Sequence, residues 1–562
     1  MKLPSLPRPA LRRPDLFRPP VLFVVVGLLV AGVLYDRVDA PLATSTETVT
    51  PPLITPSISD PARLDGAWFC PTGSSIAGGY ADHVVEVSNL SDEPAVANLG
   101  ILLGEGRGPS LRVPLDPLST QEISLSSIAE SDVAGAVVEI IGGTGVVGHR
   151  VTTAVGEAEG PCATHASSSW YFASGRTERD SRNYLVLMNP FPEDVVYNIE
   201  LFRSVGRPRR PDDLQSGVVP ANSVQVVNLD EYLQREEAVA ATINTVRGRL
   251  VAERLQVVDG QLGPTGAALQ LGVAAPAVSW MLPAGRIHEG GADRVIVFNP
   301  GTEPASVEVE LWPVNPTDRS LYGLAPIPRE LLPGRFEVVD LRIEADRYGL
   351  RLPYEVGVSV TSTNGVPVVA ERWQYAIAPT SPLGVADGEA PPDGEAPPDG
   401  EARPDGETPP GDDELGAIEE VEPSEDGAPT GELDVPGILG SQSSELTQPT
   451  AVDGIAASRG TEVVSDRWII PWVSTPTENA TAVIVTSVQE AQVEVYLLVN
   501  GELSGPLRES VSPGGRAIIT LPATGRGAAV LVTADVPVSV EAQVVDPSVG
   551  LAVVPGVPTV DQ

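Results

Sequence analysis

Apolar and polar positions alternate along many short stretches of this chain. Ala305-Ser306-Val307-Glu308-Val309-Glu310-Leu311-Trp312 places Ala305, Val307, Val309 and Leu311 on one side and Ser306, Glu308 and Glu310 on the other, and Val493-Glu494-Val495-Tyr496-Leu497 repeats the scheme. Period two with one wet face predicts half-buried strands of a sandwich sheet. Other stretches are apolar runs that stop at a turn: Arg294-Val295-Ile296-Val297-Phe298-Asn299-Pro300, Tyr184-Leu185-Val186-Leu187-Met188-Asn189-Pro190, and His83-Val84-Val85-Glu86-Val87-Ser88-Asn89-Leu90. Proline cannot donate to a ladder and asparagine bonds its own backbone, so each run predicts a strand meeting a turn. Asn364-Gly365, between Val356–Val360 and Val366–Trp373, predicts a hairpin, as does Gly142-Gly143-Thr144-Gly145.

These elements recur. Trp68-Phe69, Trp170-Tyr171, Trp280-Met281 and Trp468-Ile469 open four segments, and Val251-Ala252-Glu253-Arg254, Val369-Ala370-Glu371-Arg372 and Val538-Ser539-Val540-Glu541 close three of them, with Val147-Gly148-His149-Arg150 a weaker first copy. A period of about 100 residues is that of a small domain and too long for a solenoid repeat or propeller blade. About seven strands per segment, with turn signals every 8 to 12 residues or so, predict an immunoglobulin-like sandwich, although the immunoglobulin Cys, Trp, Cys spacing is missing. The expected class is all-β: tandem immunoglobulin-like β-sandwiches after an N-terminal transmembrane helix. The boundaries are a basic tail (1–20), an anchor (21–37), a Pro/Thr-rich stalk (38–64), sandwiches at 65–165, 166–275 and 276–380, an acidic linker (381–463) and a fourth sandwich at 464–562. A single large β-structure shared across the segments is the alternative.

Composition agrees with strands and turns. Gly 55 and Pro 56 argue against long helices, and aromatics at 5% leave the cores to Val, Leu, Ile and Ala. Lys2 is the lone lysine and every other base is arginine, which suggests a GC-rich, actinobacterial genome. The net charge of -39 disfavours a nucleic-acid partner, since phosphate binding needs a basic face. Asp387 to Glu432 holds about 17 acids against Arg403, in a six-residue period rich in Pro and Gly, and reads as an extended disordered linker.

Val21 to Tyr35 is uninterrupted apolar and follows Lys2, Arg8, Arg12, Arg13 and Arg18. This predicts an uncleaved signal anchor, with the N-terminus cytoplasmic and the rest outside. A cleaved signal peptide ending near Val38-Asp39-Ala40 is the rival, opposed by Pro41. Cys70 follows the first opening tryptophan and Cys162 follows that segment's last strand. Outside the cytoplasm the pair is expected to form a disulfide tying the domain's ends.

Little in the chain points to catalysis. His83, His149, His165 and His288 lack zinc-ligand spacing and are expected at surfaces or strand edges; no phosphate loop or Gly-x-Ser-x-Gly elbow occurs. No metal or other cofactor is expected. The recurring Glu-Arg pairs sit on strands, where neighbours point to opposite faces, so they cannot act together on one atom. A structural role is expected, capping a sheet edge or pairing across to a neighbouring strand.

Arg203, Arg207, Arg209 and Arg210 crowd one loop of an acidic protein. They are a candidate site for an anionic envelope polymer, a lipid headgroup or the chain's own acidic linker, against the plainer reading of a solvated loop.

The N-terminal anchor, the tryptophan openings and the strand-Asn-Pro motifs at Asn189-Pro190 and Asn299-Pro300 resemble a family of uncharacterised actinobacterial, membrane-anchored envelope proteins with tandem sandwich-like repeats. That resemblance implies a surface location, no assigned activity and no catalytic residues. The expected function is a non-enzymatic scaffold or binding protein of the cell envelope that presents its sandwiches to a protein or polymer. An envelope enzyme acting on a carbohydrate is the alternative.

Overall fold

A computed structural model describes residues 66–260, 264–287, 291–313, 325–347, 354–376, 454–462, 464–546 and 549–558. The anchor segment, the stalk, the acidic tract and His288 lie outside these residues. The described chain is all-β apart from one helix, Leu341–Arg347, and three short 3-10 turns.

The first repeat sets the plan. Its strands are β1 (Ala67–Cys70), β2 (Asp82–Asn89), β3 (Ala95–Leu103), β4 (Gly106–Leu115), β5 (Ser119–Ser124), β6 (Ala134–Ile141), β7 (Gly145–Thr153) and β8 (Gly156–Pro161). They form two four-stranded antiparallel sheets, ordered β4-β3-β6-β1 and β5-β2-β7-β8. The other three repeats follow the same order. Alternation sets the inner faces as expected: Ala305, Val307 and Val309 are buried while Glu310 is exposed. Each repeat closes its two sheets over a core that includes its opening tryptophan.

This order departs from the immunoglobulin arrangement, in which the first strand joins the second and fifth strands and the last joins the sheet of the third and sixth. Here β1 pairs with β6 and β7 pairs with β2, so the end strands have exchanged sheets. The expected hairpins at Gly142–Gly145 and Asn364-Gly365 are corrected by the same fact. Each turn joins strands of opposite sheets, because both flanking strands find ladder partners earlier in the chain and turn their apolar sides toward each other across the core. The left-handed backbone that suggested hairpins is real, with φ of 85° at Gly142 and 77° at Gly365, but it carries an arch. In the fourth repeat the arch is gone, and the 20-residue strand Gly527–Asp546 serves both sheets.

Two recurring residues fasten this plan. The indole N–H of Trp170, Trp280 and Trp468 donates to the carbonyl of Leu250, Val368 and Val538, at 2.8, 2.8 and 2.9 Å, tying the opening strand to the crossing between the sheets. Asn89, Asn189 and Asn299 are fully buried, and each side-chain amide donates at 2.8 Å to the carbonyl four residues on, that of Glu93, Glu193 and Glu303. The asparagine is the working part of the Asn-Pro motif, since Asn89 makes the same turn before Leu90.

The repeats are not independent beads. Their eighth strands, β8, Thr265–Leu271, Gly454–Arg459 and Gly550–Pro555, pack side by side around one axis and close a ring of four sandwiches. A short motif makes this approach possible: Gly156-Glu157-Ala158, Gly266-Ala267-Ala268, Gly454-Ile455-Ala456 and Gly550-Leu551-Ala552. A Cβ at Gly454 would overlap the Leu551 backbone nitrogen. Phe202 of the second sandwich packs against Phe298 of the third with ring centroids 4.7 Å apart and planes tilted by 56°, and Ile469 and Val557 of the fourth enter the core of the first.

The ring also relocates the acidic tract. Residues 454–459, grouped with the linker from sequence, pair with Val369–Ala376 as the last strand of the third sandwich, with Ala376 opposite Gly454. Residues 377–453 are thus an insertion at the tip of a hairpin inside the third sandwich, and do not separate it from the fourth. A protease site placed within 400–430 and cut to completion is therefore expected to give two fragments that co-elute at the size of the intact protein in native chromatography; separation without denaturant would refute the shared third sandwich.

Candidate functional site

The chemically distinctive region is the set of seams between sandwiches, where charged groups are buried. At each seam a carboxylate from one sandwich crosses to its neighbour. Glu371 of the third accepts from Ser174 of the second, at 2.7 Å from the backbone N–H and 2.6 Å from the hydroxyl, and lies 3.3 Å from Nη1 of Arg254. Glu541 of the fourth accepts from the Ala284 N–H of the third at 2.7 Å. Glu159 of the first accepts from the Ser474 hydroxyl at 2.8 Å and its N–H at 3.2 Å in the fourth. Glu253 of the second faces Nε2 of His149 in the first at 3.1 Å. The four contacts run in one direction around the ring and return to their start.

Three donors, Ser174, Ala284 and Ser474, lie a few residues beyond an opening tryptophan, at or just past the end of the first strand, and turn their N–H groups to the incoming carboxylate. The carboxylates come from the closing strand, except in the first sandwich. There Gly148 occupies the corresponding place because Pro471 and Trp472 of the fourth press against it, and Glu159 on β8 supplies the acid.

The recurrent Glu-Arg pair is thereby explained. Its glutamate faces the next sandwich and its arginine turns into its own: Arg372 grips Asp293 through two hydrogen bonds of 2.7 and 2.5 Å, and Arg254 bonds Ser174 at 3.0 Å and also Gln270. Gly285 makes room, since a Cβ there would overlap the Arg372 guanidinium.

Two of the histidines overturn the expectation of surface or edge positions. His83 and His149 are buried, with His83 Nδ1 2.9 Å from the Ala134 carbonyl and His149 Nδ1 3.1 Å from His83 Nε2. Their tandem contact joins strands far apart in sequence, which no local spacing could reveal. Burial, aided by His149, lowers the His83 pKa to about 3. His165 stacks on Trp170 at 6.0 Å, and burial lowers its pKa to about 4.

Burial acts on the acids in the opposite sense. It raises Glu159 and Glu541 to about 7, and pushes Glu86 and Asp293 upward as well. Carboxyls with such values suit general-acid chemistry when they face a substrate, but Glu159 and Glu541 are 4% and 2% exposed and spend their oxygens on the neighbouring sandwich. Among the described residues no group of three or more His, Cys, Asp or Glu side chains is placed to hold a metal ion.

The disulfide between Cys70 and Cys162 is present, with Cα atoms 4.7 Å apart, and joins β1 to the segment after β8. The arginine loop is exposed at Arg207, Arg209 and Arg210 and half-buried at Arg203. Arg203 lies 3.6 Å from Glu236 and Arg210 lies 3.0 Å from Glu200, while Arg209 donates to the Tyr232 carbonyl at 3.3 Å. Neighbouring acids thus balance two of the four. A small surface cleft between the second and third sandwiches is lined by Ser174, Arg176, Glu237, Arg294 and Trp373, with both arginines already paired to acids.

Residues 152–375 match a family of unknown function, DUF5719. The match runs from the end of β7 to the closing strand of the third sandwich and so spans two repeats together with the seam between them. No curated protein matches the chain. Among solved structures, an α-L-rhamnosidase of Streptomyces avermitilis in complex with L-rhamnose is similar at 12% identity and a TM-score of 0.12, over 56% of this chain and 46% of that one. A likeness of that size carries no argument about fold or activity.

Two outcomes are expected. Replacing Glu371 by Ala strands the buried Arg254 and the Ser174 donors, and should cost about 3–5 kcal/mol in the denaturant-unfolding transition; a loss below about 1 kcal/mol would show that the seal is dispensable. The pH dependence follows from linkage. Glu159 and Glu541, at about 7 when folded against the ordinary 4.5, contribute stability that is present below 4.5 and lost as pH rises through 7. His83, at about 3 against 6.5, contributes stability present above 6.5 and lost toward 3. Between pH 8 and 6.5 the proton uptake of the two acids outweighs the first protonation of His83 and His165 in the unfolded chain, so the thermal midpoint should rise on acidification across that window; a fall would contradict the assignment.

Proposed function

We propose that the protein is a membrane-anchored, extracytoplasmic scaffold or binding protein of the bacterial cell envelope, offering the rim of its ring of sandwiches to an anionic polymer or a protein. The observation that carries this reading is where the charge lies. Glu159, Glu371 and Glu541 are enclosed in the seams and used to join sandwiches, while three exposed and only partly balanced arginines, Arg207, Arg209 and Arg210, sit together on one loop. Guanidinium groups at such a loop suit carboxylate or phosphate oxygens.

Location rests on two independent features. The apolar run Val21 to Tyr35 behind a basic tail suits a signal anchor, and the disulfide suits an oxidising compartment. The actinobacterial source remains a reading of arginine and GC-type composition. A carbohydrate-directed enzyme draws no support from the seams, whose acids face protein and not a cleft.

Replacing Arg207, Arg209 and Arg210 together by Ser should leave the fold intact, since all three are exposed, and should weaken retention on purified cell envelope by about tenfold, the equivalent of one lost charge-assisted contact. Unchanged retention in a co-sedimentation assay would remove the loop from the function.

A further inference from the structure

The outer edges of the seams are built alike, and one departs from the rest. On each sandwich the strands equivalent to β2 and β5 present a facing pair of residues: Ser88 opposite Thr120 in the first, Met188 opposite Val224 in the second, Phe298 opposite Phe336 in the third and Thr486 opposite Arg516 in the fourth. The two apolar pairs receive the preceding sandwich closely: a Cβ at Gly135 of the first would lie 3.0 Å from Val224, and the Phe202 ring of the second lies against Phe298. Ser88 and Thr120 satisfy each other, with their hydroxyls 2.7 Å apart. The pair on the fourth sandwich is just as closed, since a Cβ at Gly357 of the third would lie 3.3 Å from Thr486 Cγ2, and Thr486 and Arg516 are each 2% exposed.

Yet Arg516 has nothing to hold. Arg254 and Arg372, buried to a similar degree, are paired with Glu371 and Asp293. In contrast, Nε, Nη1 and Nη2 of Arg516 have no hydrogen-bond partner among the described residues, and neither has Thr486 Oγ1. The charged groups facing the Arg516 guanidinium are Glu355, Asp293 and Arg372 of the third sandwich and Glu541 of its own. Each of the acids is committed elsewhere: Asp293 to Arg372, Glu541 to the Ala284 N–H, and Glu355 to Arg286 at 3.9 Å. Burial lowers the Arg516 pKa to about 10 in spite of them. A buried cation without an acceptor is costly, and a cost carried only by the closed seam favours its opening.

Nearer the axis the same seam is held firmly. Ala284, Ala376 and Ala456 of the third sandwich share an apolar cluster with Ile484, Leu551 and Val553 of the fourth, and Glu541 reaches across to Ala284. Beyond that cluster the core of the fourth sandwich takes in no described residue of the third, whereas the second and third share one core, as do the first and second and the fourth and first. We propose that the seam between the third and fourth sandwiches is a hinged gap, which pivots on the apolar cluster at the axis and opens at its outer edge to bring Arg516 and Thr486 to water. The opening is a local fluctuation of the native ring, in which the other three seams stay shut.

Thiol labelling of the full-length protein tests this, because the two native cysteines are bonded to each other and leave no free thiol. Thr486→Cys and Met188→Cys place a thiol at equivalent positions of two seams, where the native side chains are 2% and 0% exposed. With a maleimide under native conditions the first should react about tenfold faster than the second, since the rate follows the population of the open state. Adding Arg516→Met, which removes the charge at similar volume, should slow the reaction at Thr486→Cys by about tenfold and should not lower the thermal midpoint. Equal labelling at the two positions, or a rate that Arg516→Met leaves unchanged, would overturn the hinge. A lowered midpoint would show that the guanidinium finds an acceptor in the closed ring, and would overturn it as well. The two cysteine variants alone decide between a hinge and a sealed seam even if Arg516→Met does not fold.

Discussion

Each sandwich passes a buried carboxylate to the next, and the chain of these contacts closes on itself. Glu253, Glu371, Glu541 and Glu159 meet His149, Ser174, Ala284 and Ser474 in turn, so no sandwich is without a donor and an acceptor seam. A buried carboxylate is costly unless hydrogen-bonded, and only the adjacent sandwich offers the donors. The ring therefore constrains every repeat at once: losing one neighbour exposes a charge on one side and orphaned N–H groups on the other. The Gly-x-Ala motifs at the axis supply the second condition, because side chains larger than Ala would hold the four inner strands apart before the carboxylates could reach.

This arrangement separates two uses of charge. Inside the seams, desolvation holds Glu159 and Glu541 near neutrality and turns acids into hydrogen-bonding struts. At the surface, the loop from Arg203 to Arg210 is a local excess of guanidinium on a strongly acidic chain, with Glu200 and Glu236 balancing part of it. A protein built in this way invests its ionisable groups in rigidity and leaves recognition to its loops, which fits the divergence of the repeats: the first has the disulfide, the second the arginine loop, the third the long acidic insertion, and the fourth one continuous strand where the others arch.

Much of the plan was legible along the chain. Period-two alternation marked strands such as Ala305–Trp312, the tryptophans marked where each sandwich opens, and buried Asn89, Asn189 and Asn299 stood out as turn residues. The Cys70–Cys162 bond followed from position alone. The axis of the ring was less visible, although one signal was there: Gly-x-Ala occurs in all four inner strands, but its third copy at Gly454 lies beyond an insertion that made it look like linker. The His83–His149 contact carried no local mark, since its partners are dozens of residues apart.

Local order in this protein is thus set by the sequence itself, because alternation, β-branching, turn residues and a tryptophan anchor act over a few residues and can be read there. Which sheet each strand joins, that the arches are not hairpins, that Gly454–Arg459 completes the third sandwich and that four sandwiches close a ring were decided only in three dimensions. These depend on ladder partners and hydrogen-bond donors supplied by distant segments, and on whether a buried charge finds them. The repeated Glu-Arg pair shows the division most clearly: its alternation to opposite faces is a property of any strand, while the neighbour that receives the glutamate exists only once the ring has closed.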